Sequence, residues 1–224
     1  MTTHRVVLLR HGESEWNAQR RWQGQGGEGL TARGRSQAAL TAAYLARVEP
    51  EIVGIVHSDL SRVVQTAEPC LRALEVPVLE EPDWREIDVG TWSGKTHAQV
   101  ERDEPEAYAA WRSGDDVRLG GGETDGELRS RIAAALETLT IKQPEGTVVV
   151  FTHGGPIRVA AAEVMGLPGG GHRRLVGVGN CSATVVQRDE DCWRLVAYNE
   201  RGHLAVEPSD APHAFEGPHS FEGL

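Results

Sequence analysis

The stretch Leu8-Leu9-Arg10-His11-Gly12-Glu13-Ser14-Glu15-Trp16-Asn17 decides how the rest of the chain is read. It opens as the end of a short apolar run, Arg5 to Leu9, which reads as a buried strand. The run stops at an arginine beside a histidine, and a glycine follows. Arginine sits at the edge of a core only when it has a partner. Arg10 therefore either pairs with a carboxylate or meets an anion that arrives from outside. A helix is predicted after the glycine, starting near Ser14 and carrying Asn17.

The strand-then-helix pattern recurs along the chain. Thr31 reads as the N-cap of a long helix, with Ala38, Ala42, Leu45 and Val48 at three- and four-residue spacing. Ile52 to Val56 reads as a second buried strand, Ser61 to Leu74 as a helix, and Val76 to Leu79 as a third strand. Residues 84–122 are less regular, with short helical pieces at Thr96 to Arg102 and Pro105 to Arg112, then Gly120-Gly121-Gly122. Thr124 and Glu127 have the spacing of a capping box, and a helix is predicted from there to about Ile141. Thr147 to Phe151 is the clearest buried strand. A helix is predicted to follow from Pro156, since proline suits a first helical turn. Ala183 to Gln187 and Trp193 to Ala197 should form an antiparallel hairpin around residues 189–191.

This alternation predicts a three-layer α/β fold. Its central sheet is mostly parallel, with helices on both faces and a C-terminal antiparallel hairpin. The expected division is one domain over 1–206, with an inserted substrate-cap segment at about 84–122, and a flexible tail over 207–224. The tail is rich in Pro, Gly and acid and repeats Pro-His-x-Phe-Glu-Gly at 212–217 and 218–223.

The chain has 224 residues, 39% hydrophobic and 25% charged, with a net charge of −10. A surplus of negative charge repels nucleic-acid backbones and anionic lipid, so neither partner is expected. Cys70, Cys181 and Cys192 are odd in number and form no CxxC pair, which predicts reduced thiols and a cytoplasmic location. No stretch approaches the roughly 18 apolar residues of a membrane span.

Parallel α/β sheets bind ligands beyond the carboxyl ends of their strands. Three such ends carry unusual residues here: Arg10-His11-Gly12, Ser58-Asp59-Leu60-Ser61-Arg62 and Thr152-His153-Gly154-Gly155. Each lies where a helix begins, so free backbone N–H groups are available as well. Taken singly, these residues have ordinary readings: a structural ion pair for Arg10, a satisfied histidine for His11 or His153, a solvated helix residue for Arg62. Two arginines and two histidines at three equivalent positions of an acidic chain point instead to a tetrahedral dianion, phosphate.

In their order and spacing these motifs resemble the histidine phosphatase superfamily, in its phosphoglycerate-mutase-like branch. The resemblance rests on Arg10-His11-Gly12-Glu13 with Asn17, Gln23-Gly24, Leu30-Thr31 with Gly34, and Ser58 to Arg62 with Gln65-Thr66-Ala67. Arg85-Glu86 with Gly90 and Thr152-His153-Gly154-Gly155 complete it, over about residues 5 to 200. One departure is Gly27, where the family usually has an aspartate.

The resemblance implies that His11 is the nucleophile and forms a phosphohistidine. A neutral imidazole suits that task near pH 7, provided its other nitrogen is held by a backbone carbonyl. Arg10 and Arg62 would clamp the phosphoryl oxygens. His153 would donate a further hydrogen bond, as an imidazolium stabilised by the phosphate. Asn17, Gln23 and the Gly154 N–H would make lesser contacts, and Arg112 would hold a substrate carboxylate or pair with Asp115 or Asp116. Glu86 would protonate the leaving group, since a third negative charge beside a dianion is disfavoured. On local sequence alone, Glu86 would instead pair with Arg85. No metal or cofactor is expected.

Mutases of this branch carry an arginine pair after a tryptophan and then a long insertion. This chain has Trp111-Arg112-Ser113 and a short loop, which favours hydrolysis. A cofactor-dependent phosphoglycerate mutase and a non-catalytic phosphometabolite sensor are the alternatives. Trp92 to Val100, with Trp111-Arg112, resembles actinobacterial members of the family and implies a small phosphorylated metabolite, a sugar or sugar-acid phosphate. Trp92, Trp111 and His97 would line its pocket. The resemblance also implies a homodimer, with Trp193 and its hairpin as a contact.

Overall fold

The computed structural model describes residues 3–48, 51–142, 145–189 and 192–205. In chain order these form β1 (Thr3–Arg10), α1 (Glu15–Ala18), α2 (Ala32–Val48), β2 (Ile52–His57), α3 (Ser61–Ala73) and β3 (Val78–Glu80). Then come α4 (His97–Asp103), α5 (Pro105–Ser113), α6 (Asp125–Lys142), β4 (Gly146–Thr152), α7 (Gly154–Val164), β5 (Ala183–Asp189) and β6 (Cys192–Glu200). The six strands make one sheet in the order β3-β2-β4-β1-β5-β6. β1, β2, β3 and β4 pair in parallel, while β5 runs antiparallel to both β1 and β6.

Both faces of the sheet are covered, which explains the unbroken apolar runs of β1 and β4. Successive side chains point to opposite faces. Val6, Leu8, Val148 and Val150 pack with Leu128 and Ile132 of α6, Ile157 of α7, and Trp84 and Trp92. Val7, Leu9, Val149 and Phe151 pack with Ala42 and Leu45 of α2 and Val63 and Ala67 of α3.

Register positions the site. Arg10 lies opposite Thr152 on β4, and His57 opposite Phe151. The three carboxyl-terminal loops therefore leave the sheet side by side. Local caps set where the helices start: Ser14 and Asn17 cap α1 reciprocally, Thr96 and Gln99 cap α4, and Thr124 and Glu127 cap α6. The Gly34 N–H donates to Thr31 Oγ1 at 3.0 Å, as an N-cap threonine requires.

Two boundaries differ from the sequence expectation. β3 begins at Val78, where pairing with Ile55 starts, two residues after Val76. α7 begins at Gly154 instead of Pro156, because His153 takes the extended conformation of an N-cap (φ −128°, ψ 175°). Pro156 still falls in the first turn, where its missing N–H costs no helical bond. The expected tail over 207–224 lies outside the described residues.

The segment 84–122 packs on the same core through Trp84, Trp92, Val100, Tyr108, Trp111 and Leu119. Its two ends meet. Glu123 N–H donates to Asp88 O at 2.8 Å. A Cβ on Gly90 would lie 2.0 Å from Gly120 O, and one on Gly122 would lie 2.3 Å from Asp88 O. This close approach of main chain to main chain accounts for the glycines here. No helix among the described residues is long and apolar enough to cross a membrane.

Candidate active site

His11 follows the last residue of β1 and is 2% exposed. Its Nδ1 lies 2.7 Å from Gly12 O. A carbonyl only accepts, so Nδ1 carries the hydrogen and Nε2 keeps a lone pair. Burial, then Arg62 and Arg10, hold this imidazole well below the usual histidine range, so it is neutral at pH 7. Arg62 Nε donates to the Nε2 lone pair at 3.2 Å.

Arg62 reaches the ring from the first turn of α3. Its Nη1 and Nη2 donate to Gly26 O at 2.8 Å and Gly24 O at 2.6 Å, which fixes the plane of the guanidinium. Burial lowers its pKa to about 10, opposed by Glu86, so it remains a cation at neutral pH. Gly24 adopts φ +51° to present its carbonyl. Gly27 adopts φ +101° with Trp16 against it, a conformation that an aspartate would strain. Arg10 donates from Nη1 to Val178 O at 2.6 Å, while its Nε is buried without a partner.

The His153 ring meets His11 edge-on at 5.3 Å. Its Nε2 lies 3.0 Å from Ser58 Oγ, and its Nδ1 is buried and unpartnered. Burial, then Arg62, His11 and Arg10, push His153 well below the ordinary imidazole value. The ring is thus neutral at pH 7. The imidazolium expected from the sequence requires the dianion itself, because burial and the cations Arg62, Arg10 and Arg131 oppose that charge without one.

Glu86 Oε2 accepts from the Gly155 N–H at 3.2 Å and Oε1 from the Ile87 N–H at 3.0 Å. The carboxylate thus sits over the start of α7. The local pairing with Arg85 does not form: Arg85 makes a two-point ion pair with Asp59 instead, with Nε to Oδ1 at 2.6 Å. Thr152 Oγ1 donates to Trp84 O at 2.6 Å and ties the Glu86 loop to the end of β4.

Arg10, Asn17, Gln23, Glu86 and Gly154 open onto a cavity of about 700 Å³. Asn17 Oδ1 accepts from Asn180 Nδ2 at 3.1 Å, and the same Nδ2 donates to His11 O at 3.0 Å. Gln23 Oε1 accepts from Ser14 Oγ at 2.8 Å. Arg112 is not brought to this site: it is exposed at the end of α5 and does not line the cavity. Its neighbour Trp111 takes the inward face of the same helix. Trp92 is also absent from the wall, being wholly buried in the core. Trp22, which no sequence motif singles out, takes that place. It packs against His97 at 4.6 Å and Trp111 at 4.8 Å, and all three line the cavity.

The chain matches the histidine phosphatase superfamily (branch 1) over residues 6–201. It is 34% identical to the glucosyl-3-phosphoglycerate phosphatase of Mycobacterium tuberculosis over 223 residues, covering 92% of this chain and 99% of that protein. It is 36% identical to the probable phosphoglycerate mutase GpmB of Enterobacter sp. (strain 638), covering 84% of this chain and 86% of that one. Among solved structures, a mycobacterial glucosyl-3-phosphoglycerate phosphatase in complex with VO3 superposes with a TM-score of 0.79. The two are 34% identical, over 88% of this chain and 99% of the other. With a buried, tautomer-locked histidine between two arginines at the head of a matching sheet, this chain belongs to the histidine phosphatase superfamily, branch 1.

Proposed function

We propose that the protein is a phosphomonoesterase that hydrolyses a small sugar or sugar-acid phosphate through a phosphohistidine on His11. The observation that carries this reading is the His11 ring. Its Nδ1 is committed to Gly12 O, and its Nε2 lone pair faces the Arg62 guanidinium. Arg62 Nε–H occupies that lone pair. An incoming phosphate takes the Arg62 N–H for one of its own oxygens and leaves Nε2 free to attack.

The Nε2 lone pair then forms the N–P bond while the P–O bond to the leaving group breaks. Glu86 gives its proton to the departing oxygen. Its carboxylate next takes a proton from water, whose oxygen attacks phosphorus and displaces Nε2. Charge on the phosphoryl oxygens is met by Arg10, Arg62 and His153; the Arg10 Nε–H is a donor with no partner, and His153 Nδ1 becomes one when the ring is protonated. The dianion offsets the burial and the arginine repulsion that keep His153 neutral beforehand.

The Trp22, His97 and Trp111 wall supplies an amphipathic face for the organic part of the substrate. Relatives named for glucosyl-3-phosphoglycerate support a sugar-acid phosphate. Hydrolysis is favoured over mutase chemistry by the exposed, single Arg112, which adds no cationic cover over the phosphohistidine. Free thiols at Cys70, Cys181 and Cys192 fit a cytoplasmic setting. The test is phosphate release across a panel of phosphorylated metabolites, with His11→Ala as control. The reading fails if the control retains turnover, or if 2- and 3-phosphoglycerate interconvert faster than phosphate appears.

A further inference from the structure

Among the described residues, the Glu86 carboxylate is held by main-chain N–H groups, those of Ile87 and Gly155. Its reach therefore depends on where the backbone of its loop lies. That backbone is gripped by Arg131, a residue of α6 that is 45 positions distant in sequence. Arg131 Nη1 donates to Asp83 O at 2.8 Å and Arg85 O at 2.9 Å, and Nη2 to Glu86 O at 3.5 Å. Nε and Nη2 also hold Glu123 Oε1 and Oε2 at 3.0 and 2.7 Å. All five guanidinium N–H groups thus find acceptors, three of them carbonyls of the loop.

Glu123 completes the clamp. Its Oε2 accepts from the Asp88 N–H at 2.9 Å, so the same carboxylate pins the loop just beyond Glu86. The pair is largely buried, with side chains 17% and 22% exposed. Both sides of Glu86 are therefore fixed from α6 and from the turn that precedes it.

We propose that Arg131, with Glu123, is a positioning residue for proton transfer: it sets the main chain of 83–86 so that Glu86 meets the leaving oxygen. The proposal rests on the reading of Glu86 as the acid. A lysine cannot substitute, since an ammonium has three donors on one atom and cannot span three carbonyls and both oxygens of a carboxylate.

The test compares p-nitrophenyl phosphate, whose leaving group needs no proton, with glycerol phosphate, whose alkoxide does. Arg131→Lys should lower kcat on glycerol phosphate by about 30- to 100-fold, as expected for a displacement near 1 Å, with KM little changed. The aryl substrate should lose no more than about 3-fold, because its departure needs no acid. In a Glu86→Gln background, Arg131→Lys should cost less than about 2-fold further, since the two act as one unit. Glu123→Gln keeps the guanidinium but breaks its fork, and should show the same selectivity in weaker form.

Equal losses on both substrates, or the full Arg131→Lys loss persisting in the Glu86→Gln background, would overturn the positioning role. If Arg131→Lys is unstable, the leaving-group ratio of Glu123→Gln decides instead, and a ratio equal to wild type overturns the proposal. Should Glu86→Gln itself fail to discriminate the substrates, the acid assignment fails and the positioning role with it.

Discussion

Gly155→Ala should separate catalysis from stability. A Cβ built on Gly155 would lie 2.2 Å from Glu86 Oε1 and 3.2 Å from its Cδ, and 3.5 Å from Leu128 Cδ2. The Leu128 contact is ordinary, so the conflict is with the Glu86 carboxylate alone. That group ends a flexible side chain and must retreat by about 1 Å, the gap between 2.2 Å and van der Waals contact. The retreat breaks its bond to the Gly155 N–H, which is 3.2 Å long. A displacement of that size at a reacting group costs up to about 10²-fold, or ~2.7 kcal/mol of barrier.

Stability should respond differently. Alanine gains up to ~1 kcal/mol of helix propensity over glycine, which offsets the lost hydrogen bond of similar size. The melting temperature should therefore move by no more than about 4 °C in either direction. The assay is steady-state phosphate release from glycerol phosphate and p-nitrophenyl phosphate, alongside thermal unfolding. Loss on the alkyl ester alone, at nearly constant melting temperature, is the expected result. Wild-type activity on both esters would show that Glu86 and Gly155 do not meet as described. An equal loss on both would show that Glu86 is not the acid.

The same geometry yields two further outcomes. His11 and His153 are both held below the ordinary histidine value, so the unfolded chain binds protons below pH ~6.5 that the native state refuses. Stability should therefore fall with acidification from that point, by up to ~1.4 kcal/mol per pH unit for each histidine. Urea titrations from pH 7 to 5 should show this slope, and His11→Asn with His153→Asn should reduce it, leaving the smaller share of His172 and His203; an unchanged slope would contradict the neutral pair. Gly34→Ala should be destabilising by about 1–3 kcal/mol, because its Cβ would lie 2.1 Å from Glu13 O, a main-chain atom that cannot rotate away. A melting temperature equal to wild type would refute that close approach.

Much of this arrangement is legible from local sequence. The apolar runs of β1 and β4, the capping pair Thr124–Glu127, and the hairpin of β5 and β6 all rest on short-range rules that survive folding. The convergence of Arg10, His11, Arg62 and His153 follows from one topological rule applied to three strand ends. What the sequence hides is long-range or depends on helix phase. Trp111 and Arg112 are adjacent, and only packing decides that the first faces the cavity and the second faces solvent. Asn180 bridges His11 O and Asn17 from 163 residues beyond Asn17. Arg131 grips carbonyls nearly fifty positions away, and a carbonyl carries no sequence signature. The charge state of His153 is similarly invisible, because it depends on burial and on Arg62, Arg10 and Arg131 from three other elements.

The central claim is a covalent bond between phosphorus and His11 Nε2. Rapid mixing with a radiolabelled phosphomonoester, an alkaline quench that preserves phosphohistidine, and peptide mapping test it most directly. Transient label is expected on the peptide containing His11, absent in His11→Ala, and decaying at the rate of phosphate release. A single turnover that releases phosphate with no protein-bound label, or with label on another residue, would contradict it.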